Sequence, residues 1–326
     1  MQKISIKSTD NSMNNSFDKP IFIVGAPRSG TTLFQYMLRS HPNISLPTGE
    51  SHFFIPLLRS AESFGDLGEK KNILKVLEAM YKQSAGFLDT DLHGISFDID
   101  RLTEEFYLEE RNSIKQIIAG LFEKNAAGEN KQRWGDKTPY YVLHMKTILE
   151  LFPGAQFIHI IRDGRDCALS MFNRKHDFGV YNTFFAAKYW EIYIELGRQM
   201  GADLGPNVYK EIHYEDLLKT PQQVVKGVCE FLNEPYSDSL INFKKSGEAG
   251  KTPLLQKPIS GDNSEKWRTS MTLVQISIFE RAVGGTLKSA GYPITGDAKP
   301  LPLPTRAFWH LHNRLTRFYY RLFKQL

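Results

Sequence analysis

The chain alternates short, wholly apolar runs with longer amphipathic ones, the trace left by buried strands and the helices that cover them. Ile21-Phe22-Ile23-Val24 is a continuous apolar run with Pro20 at its start, where a strand tolerates proline, and it predicts a buried parallel strand. Thr31 to Ser40 carries Leu33, Met37 and Leu38 on one helical face and stops at His41-Pro42-Asn43. Residues 52–127 predict several helices, with Gly65 and Gly68 as breaks. Trp134 to Pro139 reads as a loop, and Thr138-Pro139 as N-cap and first position of the helix after it. Ala155 to Ile161 predicts a second buried strand, which runs into Arg162-Asp163-Gly164 and a helix ending near Lys175. Then come an aromatic-rich helix over Tyr181 to Met200, a strand over Val208 to Tyr214 and a helix over Pro221 to Leu232. A loop rich in Pro, Lys and Ser over Gly250 to Ser264 and a helix over Thr272 to Val283 follow.

Strands separated by helical segments predict an α/β fold of three layers, a central parallel β-sheet flanked by helices, with helical insertions. Residues 1–18 are polar and of low complexity and predict a disordered segment; 19–295 read as one domain, with no internal repeat. Residues 296–326 read as a Pro-containing linker and a basic amphipathic helix. In that helix Phe308, Leu311, Leu315, Phe318, Leu322 and Leu326 recur at helical spacing, with Arg314, Arg317, Arg321 and Lys324 expected on the opposite face. Two readings stay open. The helix docks on its own domain and leaves a solvated basic face, or it makes peripheral contact with an anionic membrane.

Charge sharpens this division. Of the net +5, five basic residues and no acid lie from Arg306 onward, so the rest of the chain is about neutral. That is a local basic tail and speaks against a nucleic-acid partner. Cys167 and Cys229 make no disulfide framework and no Cys/His spacing suggests zinc, so no metal is expected. His41, His144, His159, His176 and His213 read as structural. The N-terminus lacks the apolar core of a signal peptide, and no apolar run approaches the roughly 20 residues of a membrane span. The expectation is a cytoplasmic protein, peripheral at most.

Candidate chemistry begins between the first strand and its helix, at Gly25-Ala-Pro-Arg-Ser-Gly30-Thr31-Thr32. The spacing is that of a P-loop with Thr31 in place of the lysine that reaches the β- and γ-phosphates of a triphosphate. The glycines let the backbone turn closely around an anion at the positive end of the helix. Arg28 supplies the basic group from inside the loop. The predicted ligand is a phosphate with a different tail, in a P-loop-like fold. A second set is Arg162 at the carboxyl end of its strand, with Ser170 and Arg174 four apart on the helix that follows. A guanidinium fork and a hydroxyl suit a second phosphate; the plainer reading is an Arg162–Asp163 salt bridge.

The pairing of GAPRSGTT with RDGRDCALSMFNRK resembles the sulfotransferases that use 3′-phosphoadenosine 5′-phosphosulfate, from about Pro20 to about Gly285. The resemblance implies that Arg28, Ser29, Gly30, Thr31 and Thr32 hold the 5′-phosphosulfate and that Arg162, Ser170 and Arg174 hold the 3′-phosphate. It implies a product 3′-phosphoadenosine 5′-phosphate and no Mg²⁺. Arg28 in the loop, and no histidine base in a K-x-H-L-P setting, make the chain more similar to the carbohydrate and tyrosylprotein branches than to the cytosolic phenol and steroid enzymes. In those branches a glutamate before an aromatic pair is the general base, here Glu50 in Gly49-Glu50-Ser51-His52-Phe53-Phe54. His52 is the rival base, but two residues on it is expected to point elsewhere in either a strand or a helix. Lys137 in Trp134-Gly135-Asp136-Lys137-Thr138-Pro139 matches a lysine on the leaving oxygen. Tyr214 matches a tyrosine near the nucleotide, with a packed core tyrosine as the alternative. Ser264 and Lys266 match a late loop that closes over the donor, where Glu265 stands in place of a frequent glycine.

The implied reaction moves a sulfuryl group to the hydroxyl of an acceptor: carbohydrate, glycolipid, tyrosine or small metabolite. The acceptor pocket is expected in the insertions, about 52–130 and 176–205. Their aromatics (Phe53, Phe54, Phe87, Tyr107, Phe184, Phe185, Tyr189 and Trp190) either stack on the acceptor or fill the core. The rival functions are a P-loop kinase or nucleotidase using Mg·NTP and a non-catalytic nucleotide- or membrane-binding module.

Overall fold

A computed structural model of the chain describes residues 18–83, 94–95, 97–243, 261–296 and 299–323. Five strands form one parallel sheet: β1 (Ile21–Gly25), β2 (Ile44–Ser45), β3 (Arg133–Lys137), β4 (Gln156–Ile161) and β5 (Tyr209–His213), in the order β2-β3-β1-β4-β5. β1 sits at the centre, with Ile21 opposite Gly135 on one side and Gln156 on the other. The pleat sends alternate residues to opposite faces. Phe22, Val24, Phe157 and Ile161 enter one apolar core, and Ile21, Ile23, Ile158 and Ile160 enter the other. Both faces need cover, and helices supply it, which gives the three layers expected.

The loop expected over Trp134 to Pro139 is instead the strand β3, all five residues of it buried. Its polar composition hides a strand because Arg133 and Lys137 find partners and Asp136 is fully buried. Arg133 donates to the carbonyls of Lys19 and Leu232, at 2.6 and 2.7 Å, and to Gln156. Lys137 reaches Glu50. Trp134 packs on Phe122 at 4.8 Å between ring centres. Thr138 and Pro139 do open a helical turn, Pro139–His144, with proline in its first turn and no side-chain cap bond from Thr138.

The remaining elements follow the periodicity closely: helices Thr31–Arg39, Gly164–Phe172, Thr183–Leu204, Pro221–Leu232 and Leu273–Ser289. Phe53, Phe54 and Trp190 fill the core and Phe184 is buried, so these aromatics line no open acceptor pocket. The readings made for residues 1–17, Phe87 and 250–260 lie outside the described residues, as does part of the linker. Both cysteines are buried and free.

The helix Leu303–Phe323 packs on the start of the helix Thr183–Leu204, but not by its apolar side. Asn313, nearly fully buried, donates to Gly179 O at 3.0 Å and accepts from the Tyr181 amide at 2.8 Å. Asn182 donates to Trp309 O, and Tyr320 stacks on Tyr181. The helix thus docks on its own domain with its arginines left exposed, and the stripe that faces the domain is polar and aromatic. Periodicity says which residues share a face, not which face finds a partner.

Candidate active site

The carboxyl ends of all five strands meet at one edge of the sheet, where open α/β folds gather ligand-binding residues. Arg28 follows β1, Glu50 follows β2, Lys137 ends β3, Arg162 follows β4 and Tyr214 follows β5. Topology thus brings together residues up to 186 positions apart (Arg28 to Tyr214).

The loop after β1 is held by a bond from Ser29 N–H to Ala26 O at 3.2 Å. The first amide to find a helical acceptor is that of Phe34, bonded to Gly30 O, so the amides of Gly30, Thr31 and Thr32 open outward as a helix start leaves them. Ser29 contributes its hydroxyl rather than its amide. Gly30 has φ 97°, and a Cβ there would collide with the Tyr214 ring. Arg28 holds φ 70°, the left-handed region a residue other than glycine seldom adopts. That backbone turns its side chain toward the helix Gly164–Phe172, where Nε donates to Ser170 Oγ at 2.9 Å.

Arg162 packs between these parts. Its guanidinium lies 4.4 Å from the centre of the Tyr214 ring and donates to Arg28 O at 3.1 Å and Asn263 O at 2.6 Å. It makes no salt bridge with Asp163, which pairs instead with Arg165 at 2.7 Å. Arg174 lies two residues past the end of its helix, exposed and paired with Asp177, so it does not share the helical face of Ser170. Its charge still acts on Arg28. Burial pushes the Arg28 guanidinium below its usual value, and Arg174 and Arg162 push it further the same way. The Ser29 hydroxyl and Arg162 Nε are buried without a hydrogen-bond partner. Three cations and two orphaned donors around one loop fit an anion with two phosphate-like groups.

Beside this cradle Lys137, buried, sits 3.0 Å from Glu50 Oε1. A buried ammonium needs such a partner. His52 Nε2 is 3.0 Å from Glu50 Oε2, contrary to the expectation that it points away. Its φ of 53° folds the chain back on itself, which neither a strand nor a helix would do. Burial pushes the Glu50 carboxyl up, but the Lys137 charge and the His52 hydrogen bond outweigh it and hold the carboxyl at about 2. The loop is pinned from behind. Ser51 N–H donates to Thr138 Oγ1 at 2.9 Å, and Tyr141 OH accepts from Phe54 N–H and lies 2.9 Å from Ser51 Oγ. Asp136, fully buried beneath, is pushed up to about 6 by burial, against the pull of Thr138 and Ser51. Tyr189 and Tyr193, hydroxyls 3.2 Å apart, flank the carboxylate together with Tyr140.

The late loop reaches the site through Asn263, whose side chain donates to Tyr214 OH at 2.6 Å. Ser264 spends its hydroxyl on Gly261 O, and Lys266 is exposed at the start of the short helix Trp267–Ser270. Glu265 takes φ 58° and pairs with Arg268, so the loop turns there without a glycine. Asn263, Tyr140 and Tyr193 belong to the neighbourhood and lie in no motif, whereas His52 and Asp136 sit inside the stretches that carry Glu50 and Lys137, where the motif assigns them no role. Among the described residues no group of three His, Cys, Asp or Glu gathers as a metal site.

Residues 20–238 match the model of a family described as the sulfotransferase family. The chain is 26% identical over 262 residues to a protein-tyrosine sulfotransferase of Drosophila melanogaster, covering 76% of this chain and 46% of that protein. It is 27% identical over 263 residues to protein-tyrosine sulfotransferase 2 of Gallus gallus, covering 76% and 62%. It therefore spans about half to two-thirds of the length of these relatives. Among solved structures, the sulfotransferase domain from the curacin biosynthetic pathway shares the fold, with TM-score 0.58 and 24% identity over 85% of this chain and 99% of that one. The sulfotransferase domain of the Synechococcus PCC 7002 olefin synthase does likewise, with TM-score 0.56, 20% identity and 85% and 97% coverage.

Proposed function

Because the chain belongs to the sulfotransferase family, we propose that it moves a sulfuryl group from 3′-phosphoadenosine 5′-phosphosulfate to an acceptor hydroxyl. The observation that carries this is the Lys137–Glu50 pair beside an anion cradle. Glu50 is close enough to Arg28 for its charge to act there. Arg28, the Ser29 hydroxyl and the amides of Gly30 to Thr32 hold the 5′ end. Arg162, Ser170 and Arg174 hold the 3′-phosphate, with Tyr214 behind Arg162 and the Ser264–Lys266 turn over it. The donor, when bound, supplies the sulfuryl group and a phosphate oxygen as leaving group.

Glu50 takes the proton of the acceptor hydroxyl. Held at about 2, it is a weak base while Lys137 grips it. When the Lys137 ammonium turns to the charge developing on the leaving oxygen, Glu50 loses its strongest opposing charge and burial raises its basicity. Base and cation are thus switched on together. A phenolic hydroxyl, near 10 in water, yields its proton to a carboxylate more readily than an alkyl hydroxyl does. That and the relatives named for protein tyrosine support a tyrosyl acceptor over the carbohydrate, glycolipid and metabolite alternatives.

Calorimetric titration with 3′-phosphoadenosine 5′-phosphate, without metal, beside AMP and Mg·ATP tests the donor site. The reading expects tight binding of the first that Arg162→Ala abolishes. Binding of Mg·ATP alone would instead support the kinase reading.

A further inference from the structure

The helix Leu303–Phe323 is inverted relative to a helix that merely covers its own domain. Trp309, Asn313 and Tyr320 face inward and use their polar atoms or rings on the residues around Gly179 to Asn182. Phe308, Leu311, Leu315 and Phe318, spaced three, four and three apart, share the outward face. They are 57%, 55%, 58% and 59% exposed. Large apolar side chains held out in a row mark a binding surface. Arg314, Arg317 and Arg321, also exposed, run along one flank of that row, and the helix contains no Asp or Glu. No helix among the described residues is long and apolar enough to cross a membrane.

We propose that this face lies on an anionic lipid surface, with the four apolar side chains at the boundary of headgroups and acyl chains and the three arginines on lipid phosphates. Both halves of the face are used by that occupant. A second copy of the chain would cover the apolar row but bring one arginine flank against another, like charge on like. The helix docks at the start of Thr183–Leu204, and Tyr189 follows Asn182 by seven residues, about 10 Å along the axis. The C-terminal helix is therefore docked on the same element that carries Tyr189 and Tyr193 beside Glu50. The inference does not depend on the reaction assigned above.

The test is cosedimentation of the full chain with phosphatidylcholine vesicles, with and without phosphatidylserine. Binding is expected only to the anionic vesicles. Leu311→Ser with Leu315→Ser, and separately Arg314→Glu with Arg317→Glu and Arg321→Glu, should each lower partitioning by about tenfold or more, since one basic side chain at the surface is worth about fivefold. All five positions are solvent-exposed, so the variants keep the fold, and matched thermal melts check that. Failure of the wild type to sediment, or equal sedimentation of all variants, overturns the proposal. A concentration-dependent dimer that the leucine variants abolish, without vesicle binding, overturns it in favour of a second copy.

Discussion

Lys137→Met separates the two duties assigned to the lysine. Its ammonium is the strongest of the attractions that hold Glu50 at about 2 against burial. Methionine fills the buried stem's volume without charge. With the ammonium gone, only His52 opposes burial, and the Glu50 carboxyl should climb from about 2 to near the ordinary 4.5. Carboxyl NMR titration, with Glu50→Gln to assign the signal, reads that change directly. The sign on stability follows. A carboxyl depressed in the folded state adds stability that is present above the unfolded value near 4.5 and is lost as pH falls toward 2. The variant should lack this contribution. Turnover should fall about 10²- to 10³-fold, the loss seen when one preorganised donor to a developing charge is removed, about 2.7–4 kcal/mol. A Glu50 signal still near 2, or turnover within a few fold of wild type, would refute the coupling of base and cation.

Arg165 is fully buried between Asp163 and Glu280, 2.7 and 2.6 Å away, and stacks on Trp267; Arg165→Leu leaves two buried carboxylates unpaired and should cost about 3–5 kcal/mol in denaturant unfolding. A loss under about 1 kcal/mol would contradict that. Gly30→Ala forces a Cβ into the left-handed region and into the Tyr214 ring, so binding of 3′-phosphoadenosine 5′-phosphate should weaken about tenfold or more by calorimetry; an unchanged Kd would count against the cradle. His159, buried against Tyr209 OH, has its pKa lowered by burial to about 4. Stability should be full above about 6.5 and drop by about 3 kcal/mol as pH falls to 4. His159→Gln should flatten that slope in thermal melts, and a slope unchanged by the substitution would remove His159 as its source.

The strand–loop–helix of residues 21–39 and the second strand with its arginine are legible because apolar runs, glycines and the following helical period all agree. β3 is not, since Arg133, Asp136 and Lys137 read as solvated until the partners that bury them are known. β2 is only two residues long, too short for any period. The pairing of His52 with Glu50 depends on one residue in the left-handed region, and Arg174 leaves its expected face because the helix stops at Phe172. The outward apolar row of the last helix was legible as a row; its orientation is decided by Asn313 and Tyr320, which bond a distant loop.

The central claim is most directly tested by following radiolabelled sulfur from 3′-phosphoadenosine 5′-phosphosulfate to a tyrosine-containing peptide, with wild type and Glu50→Gln at equal donor occupancy. The account predicts label on the peptide with wild type and a loss of at least about 10² with Glu50→Gln. Full transfer by Glu50→Gln would contradict Glu50 as the base, and no transfer by wild type to a peptide it binds would contradict the tyrosyl acceptor.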